Sequence, residues 1–117
     1  PHAPSGRLLD ADAIGAIAAA LDGVLLVDEA YVDFTDPGHD VVGLIQRHDN
    51  LMILRTLSKG YSLAGLRLGY GIGPSALIEP IARKTRDSYS VDAVADALGA
   101  AALADQPAAQ ASWEAVR

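Results

Sequence analysis

Two uninterrupted apolar runs, Val24 to Val27 and Leu51 to Leu54, punctuate a chain whose other apolar positions are mostly spaced. Without apolar/polar alternation, each run suits a strand covered on both faces, and each ends at once in polar residues, Asp28-Glu29 and Arg55-Thr56. Upstream, Ile14, Ile17 and Leu21 fall at i, i+3 and i+7, which predicts a helix from Asp10 to Leu21, capped by Asp10 and ended by Gly23. A loop rich in Asp, Pro and Gly, Asp33 to Asp40, leads to a short helical stretch near Val41 to Gln46. The order strand, helix, strand implies a parallel pair with a right-handed crossover. Leu68 to Ile72 reads as a third, Gly-broken strand, and Pro74 can open a helix at its first turn. Beyond Tyr89 the chain is Ala-rich and helical, with an interruption near Pro107.

An α/β fold follows from this order. Open parallel sheets bind ligands outside the carboxyl ends of their strands, so Asp28 and the Arg55 to Lys59 segment are expected to be neighbours in space. At 117 residues the chain is one domain at most, able to bury roughly 65% of its unfolded surface. It is 50% hydrophobic but 5% aromatic, so Ala, Leu, Val and Ile must supply the packing of helices on a sheet.

A net charge of −6 argues against binding dominated by nucleic-acid phosphates or an anionic membrane. The distribution is uneven: from Asp10 to Asp40 there are eight acidic residues and no Lys or Arg, whereas Arg55, Lys59, Arg67, Arg83, Lys84 and Arg86 come later. That later group suits a small anionic ligand, although Arg83, Lys84 and Arg86 also fit a solvated helix face. The absence of cysteine excludes disulfides and thiolate metal sites. No run reaches the roughly 18 apolar residues of a membrane span.

Taken singly, the candidate residues are ambiguous. Asp28, at the end of Val-Leu-Leu-Val, fits a turn, a metal-coordinating strand of a nucleotide triphosphatase or a catalytic carboxylate; the triphosphatase reading lacks its G-x-x-x-x-G-K-[ST] partner in these residues. Lys59, just past a buried strand, is placed where desolvation favours the neutral amine that Schiff-base chemistry needs. Arg67, after a Ser/Gly/Leu turn, offers a bidentate fork for a phosphate. His2, His39 and His48 have no ligand spacing and read as surface or loop residues, Trp113 as packing, and Gly65, Gly69, Gly71 and Gly73 as turn and close-packing positions.

The longer string Thr56-Leu57-Ser58-Lys59-Gly60-Tyr61-Ser62-Leu63-Ala64-Gly65-Leu66-Arg67-Leu68-Gly69-Tyr70 closely resembles the cofactor-lysine segment of class I/II aminotransferases, particularly the histidinol-phosphate branch. Asp28-Glu29-Ala30-Tyr31 resembles that family's pyridine-binding segment, Lys84 to Tyr89 its crossover into a second domain, and Pro1 to Gly6 the end of its Asn-Pro-x-x-Pro-[ST]-Gly turn. The resemblance runs from Pro1 to about Ala104. It implies a three-layer, mainly parallel sheet with helices on both faces, and pyridoxal 5'-phosphate as cofactor. Lys59 would bond to the cofactor and then shuttle the substrate proton, Asp28 would pair with the pyridine nitrogen, Tyr31 would bind the ring oxygen, and Ser58, Arg67 and Thr56 would hold the phosphate.

The same resemblance implies a cytoplasmic homodimer that exchanges an amino group between histidinol phosphate or an L-amino acid and 2-oxoglutarate, with no nucleic-acid or membrane partner. Family members are much longer, so residues 1–117 are expected to be part of the cofactor-binding large domain, with 90–117 a helical segment leading toward the small domain. On its own such a piece should have negligible transaminase activity. Ala3 stands where many relatives place an Asn that contacts the ring oxygen, and Ser90 where histidinol-phosphate enzymes often have Asn. A phosphothreonine decarboxylase, another amino-acid aminotransferase and a noncatalytic domain on the same scaffold are the alternatives.

Overall fold

The computed structural model describes residues 1–85 and 91–117. Helix α1 (Ala11–Ala20) begins where the Asp10 carboxylate accepts the Ala13 N–H at 2.7 Å, and ends in an extended Leu21 before Gly23 at φ 153°. Its buried stripe is Ile14 and Ala18, an i, i+4 pair. Ile17 and Leu21, expected to face the core, remain 46% and 41% exposed; the small Ala18 is what lets the helix approach the sheet.

Strands β1 (Leu25–Asp28), β2 (Leu51–Thr56) and β3 (Gly69–Ile72) form one sheet in that order. β1 and β2 run parallel, with Leu25 opposite Leu51 and Asp28 opposite Leu54, as the strand, helix, strand order requires. β3 returns antiparallel, Thr56 opposite Gly69 and Ile53 opposite Ile72. The segment between β2 and β3 holds one 3-10 turn, Ala64–Leu66, whereas the parallel β1–β2 connection is the longer stretch from Glu29 to Asn50.

The core lies on the face of Leu25, Val27, Leu51, Ile53 and Ile72, where Ile14 and Ala18 of α1 meet Val41 and Leu44 from the 3-10 stretch around Val42–Gln46. On the other face α2 (Ser75–Lys84) brings Ile78 against Gly71 and Gly73, beside Met52. Helices therefore pack on both faces. The double cover holds for the first half of β2, where Leu51 and Ile53 are fully buried and Met52 nearly so, and fails at Leu54, which is 38% exposed. At β1 the expectation fails: burial alternates, and Leu26 is 54% exposed, because among the described residues no helix covers that part of the second face. Helices α3 (Ala93–Ala104) and α4 (Gln106–Glu114) follow, capped by the Asp92 and Asp105 carboxylates, with Pro107 in the first turn of α4. No helix among the described residues is long and apolar enough to cross a membrane.

Candidate functional site

Parallel pairing places the carboxyl ends of β1 and β2 at the same edge of the sheet. Asp28, Leu54 and Thr56 share one face there, and Asp28 and Thr56 line a single open cleft of about 450 Å³ with Ala30, Arg55, Gly69, Tyr70 and Gly71. Gly69 and Gly71 keep the β3 side of the cleft open, with the Leu54 side chain beside Gly71. At Gly69 nothing else fits, since a Cβ would lie 2.8 Å from the Arg55 carbonyl oxygen. Asp28 is exposed, and its Oδ1 accepts the Ala30 N–H at 2.9 Å, a turn that swings the chain away from the strand and leaves the second oxygen open to the cleft.

Tyr31, in the following turn, lines with Asp28 a second cavity of about 380 Å³ that also touches Ala3. Its ring lies 5.6 Å from the Lys59 Nζ, a cation–π contact between the two residues proposed to flank one ring. Lys59 is exposed, not desolvated as its position after a buried strand suggested. Leu57, just past the strand, is 1% exposed, and Lys59 sits on the rim two residues beyond it. Thr56 Oγ1 accepts the Ser58 N–H at 3.1 Å, drawing the two hydroxyl residues together. Arg67 adopts the left-handed conformation at φ 52°, ψ 38°, and donates to the Ala64 carbonyl at 3.1 Å; among the described residues no hydrogen bond links it to Ser58, Thr56 or Lys59. A left-handed non-glycine residue costs roughly 1 kcal/mol or more and marks a position held for a reason other than backbone comfort.

Sequence reasoning missed the group that fixes this edge. Glu29, 6% exposed, receives Nε and Nη2 of Arg55 on Oε2 at 2.9 and 2.8 Å, and its Oε1 accepts the Val41 N–H at 2.8 Å. Burial works against the Arg55 guanidinium, but Glu29 and then Tyr70 outweigh it and raise its pKa further. Arg55 is thus committed to Glu29 and is withdrawn from the cations free for an anionic ligand. The signal was in the strand ends: Asp28 opposite Leu54 puts Glu29 opposite Arg55. Arg83 is solvated and pairs with Glu79 one turn earlier on α2. The stretch Lys84 to Tyr89 and the departure at Ser90 fall partly or wholly outside the described residues.

The model of the aminotransferase class I and II family matches residues 1–117, and the chain belongs to that family. Within it, the chain is similar to histidinol-phosphate aminotransferases. It is 48% identical over 106 residues to histidinol-phosphate aminotransferase 1 of Nostoc sp., covering 91% of this chain and 29% of that one. The structure of a histidinol-phosphate aminotransferase from Sinorhizobium meliloti in complex with pyridoxal-5'-phosphate superposes with a TM-score of 0.85 at 28% identity, over 95% of this chain and 31% of that one. L-threonine-O-3-phosphate decarboxylase from Porphyromonas gingivalis gives a TM-score of 0.71 at 28% identity, over 81% and 29%. The chain spans about a third of the length of the curated relatives it matches.

The donor set fits pyridoxal 5'-phosphate. The cofactor needs an acid for its pyridine nitrogen, an amine for its aldehyde, a donor for its ring oxygen and donors or cations for its phosphate. Asp28, Lys59, Tyr31, and the trio Thr56, Ser58 and Arg67 are of those kinds, at or beyond the ends of adjoining strands.

Proposed function

We propose that this chain forms the cofactor-bearing part of a pyridoxal-phosphate-dependent aminotransferase acting on histidinol phosphate or an L-amino acid with 2-oxoglutarate. The observation that carries the reading is the pairing of Asp28 with Thr56 in one cleft at the carboxyl end of a parallel strand pair, with Lys59 Nζ 5.6 Å from the ring of Tyr31, which shares a second cavity with Asp28. When bound, the cofactor withdraws electrons from the substrate's alpha carbon. Lys59 Nζ would hold the cofactor at its aldehyde, and the same amine would carry the proton to and from that carbon. The Asp28 carboxylate keeps the pyridine nitrogen protonated, and Tyr31 orients the ring through its oxygen. Ser58, Thr56 and Arg67 hold the phosphate, and Arg67 would reach it by turning from the Ala64 carbonyl.

Residues 1–117 would then be part of a large cofactor-binding domain, with 90–117 leading toward a small domain, in a cytoplasmic homodimer. Three-fold longer relatives support a protein whose substrate-carboxylate grip lies outside this chain, so the chain by itself should show negligible transaminase turnover.

The test is to add pyridoxal phosphate to the purified chain, reduce with borohydride and map the peptides. Label on Lys59 that disappears in Lys59→Ala supports the assignment. Label distributed equally over Lys59 and Lys84 overturns it. The decarboxylase likeness makes a second chemistry on the same lysine and carboxylate worth a direct assay: a full-length relative containing this segment should transfer the amino group of histidinol phosphate and release no carbon dioxide from threonine phosphate.

A further inference from the structure

Trp113 is the single tryptophan of the chain and lies half-buried on α4. Its indole Nε1 donates to the Gly60 carbonyl at 2.7 Å, and its ring meets that of Tyr61 edge-on, with centroids 5.5 Å apart and planes at 85°. Gln106, in the first turn of the same helix, donates to the Tyr61 hydroxyl at 3.4 Å. Helix α4 therefore grips both residues that follow Lys59.

The preceding side of the loop is also fixed. Leu57 is 1% exposed and packs toward Gly99 of α3. Its carbonyl accepts the Leu63 N–H at 3.0 Å, closing the loop, while the Lys59 carbonyl accepts the N–H of Ser62, itself at φ 56°. Gly60 is buried against Asp33, so its carbonyl can reach water only if the loop moves.

We propose that Trp113 is a positioning residue for Lys59, its hydrogen bond to Gly60 setting the loop backbone so that the lysine ammonium is held over the Tyr31 ring. The proposal rests on the reading of Lys59 as the cofactor-bearing residue. Removing the indole donor leaves a buried carbonyl unpaired, and that costs more than the bond itself contributes. The loop recovers the loss by turning the carbonyl outward. Because Leu57 and Leu63 fix its ends, the displacement falls on Lys59 to Ser62.

Trp113→Phe keeps an aromatic ring against Tyr61 and removes only the donor. In proton NMR of the purified chain, the Lys59 Cε protons should be displaced upfield by the Tyr31 ring current relative to those of Lys84, the other lysine, and Tyr31→Leu should abolish the displacement. Trp113→Phe should lose most of it while the core methyls of Ile14 and Ile53 keep their shifts. Full retention of the displacement in Trp113→Phe, or its absence from the parent chain, overturns the proposal.

A second readout uses pyridoxal phosphate and borohydride. The ratio of label on Lys59 to label on Lys84 should fall about fivefold in Trp113→Phe, the factor expected for one net hydrogen bond. Total label undiminished in Lys59→Ala overturns the cofactor reading and the proposal with it. A ratio that favours Lys59 and is unchanged in Trp113→Phe overturns the proposal alone.

Discussion

Two nitrogens of Arg55, Nε and Nη2, converge on one oxygen of Glu29, leaving the other oxygen to the Val41 backbone. This pair joins the end of β2 to the turn after β1 and ties both to the start of the 3-10 stretch beneath the core. Its side chains are 22% and 6% exposed, which separates it from surface ion pairs.

Glu29→Ala should therefore destabilise the chain by about 2–4 kcal/mol, because it leaves the half-buried guanidinium only its longer, 3.7 Å contact with Asp40 and the Val41 N–H unpaired. Glu29→Gln, which keeps one acceptor, should fall between. Urea unfolding measures both. A loss below about 1 kcal/mol for Glu29→Ala would mean that the pair behaves as a solvated surface bridge.

Asp33 gives a pH-dependent test. Burial raises its pKa above the ordinary 3.8; Arg55 opposes the rise and Glu29 adds to it. A carboxyl whose folded pKa is raised contributes stability that is fully present below its unfolded pKa and is lost as pH rises through the folded value. Asp33→Asn should be more stable than the parent at neutral pH, with the gap closing as pH falls through the raised folded value toward 3.8. Denaturant midpoints taken across that range decide it, and a gap independent of pH would show that Asp33 ionisation is not linked to folding.

Gly69 and Gly71 lie on the same strand and the same face, yet they should respond differently to a methyl group. A Cβ at Gly69 meets the Arg55 carbonyl oxygen at 2.8 Å, backbone that cannot yield without shifting β3 from β2. At Gly71 the nearest atoms lie at 3.8 and 3.9 Å, ordinary contact. Gly69→Ala should cost about 1–3 kcal/mol and Gly71→Ala close to nothing. Equal costs in thermal or urea unfolding would place the origin in glycine's backbone freedom, not in the close approach.

The strand ends that place the site were legible because both apolar runs stop abruptly at polar residues, and parallel pairing then put Asp28 level with Leu54. The cofactor segment was legible only through family resemblance, since an isolated lysine in a loop carries no signal of its own. Three features depended on packing that no local pattern encodes. Val24 to Val27 reads the same whether one face or both are covered, so the exposure of Leu26 was hidden. Periodicity weighted Ile17 and Leu21 over Ala18, although close helix–sheet approach favours the smaller residue. The grip of Trp113 on Gly60 links segments distant in sequence, and tertiary structure alone reveals it.

Asn50 supplies the sharpest test of how α1 is joined to the sheet. Its Nδ2 lies 2.9 Å from the Ala18 carbonyl, 3.0 Å from that of Gly23 and 3.3 Å from that of Leu21, so one amide serves the free carbonyls at the end of α1 and the turn into β1. Asn50→Ala should cost about 1–2 kcal/mol through loss of these bonds. Asn50→Asp should cost more at neutral pH, because a carboxylate would face three carbonyl oxygens at the negative end of the helix. Those oxygens raise the folded pKa of the new carboxyl, so its protonated form is stabilising below the unfolded value of about 3.9 and that contribution is lost as pH rises. The stability difference between the Asp and Ala variants should accordingly narrow, and then reverse, as acid restores a donor to the site. Urea unfolding of both variants across the acid range reads this directly, and a difference that stays constant would mean that the three carbonyls are satisfied by water, leaving α1 held by Ile14 and Ala18 alone.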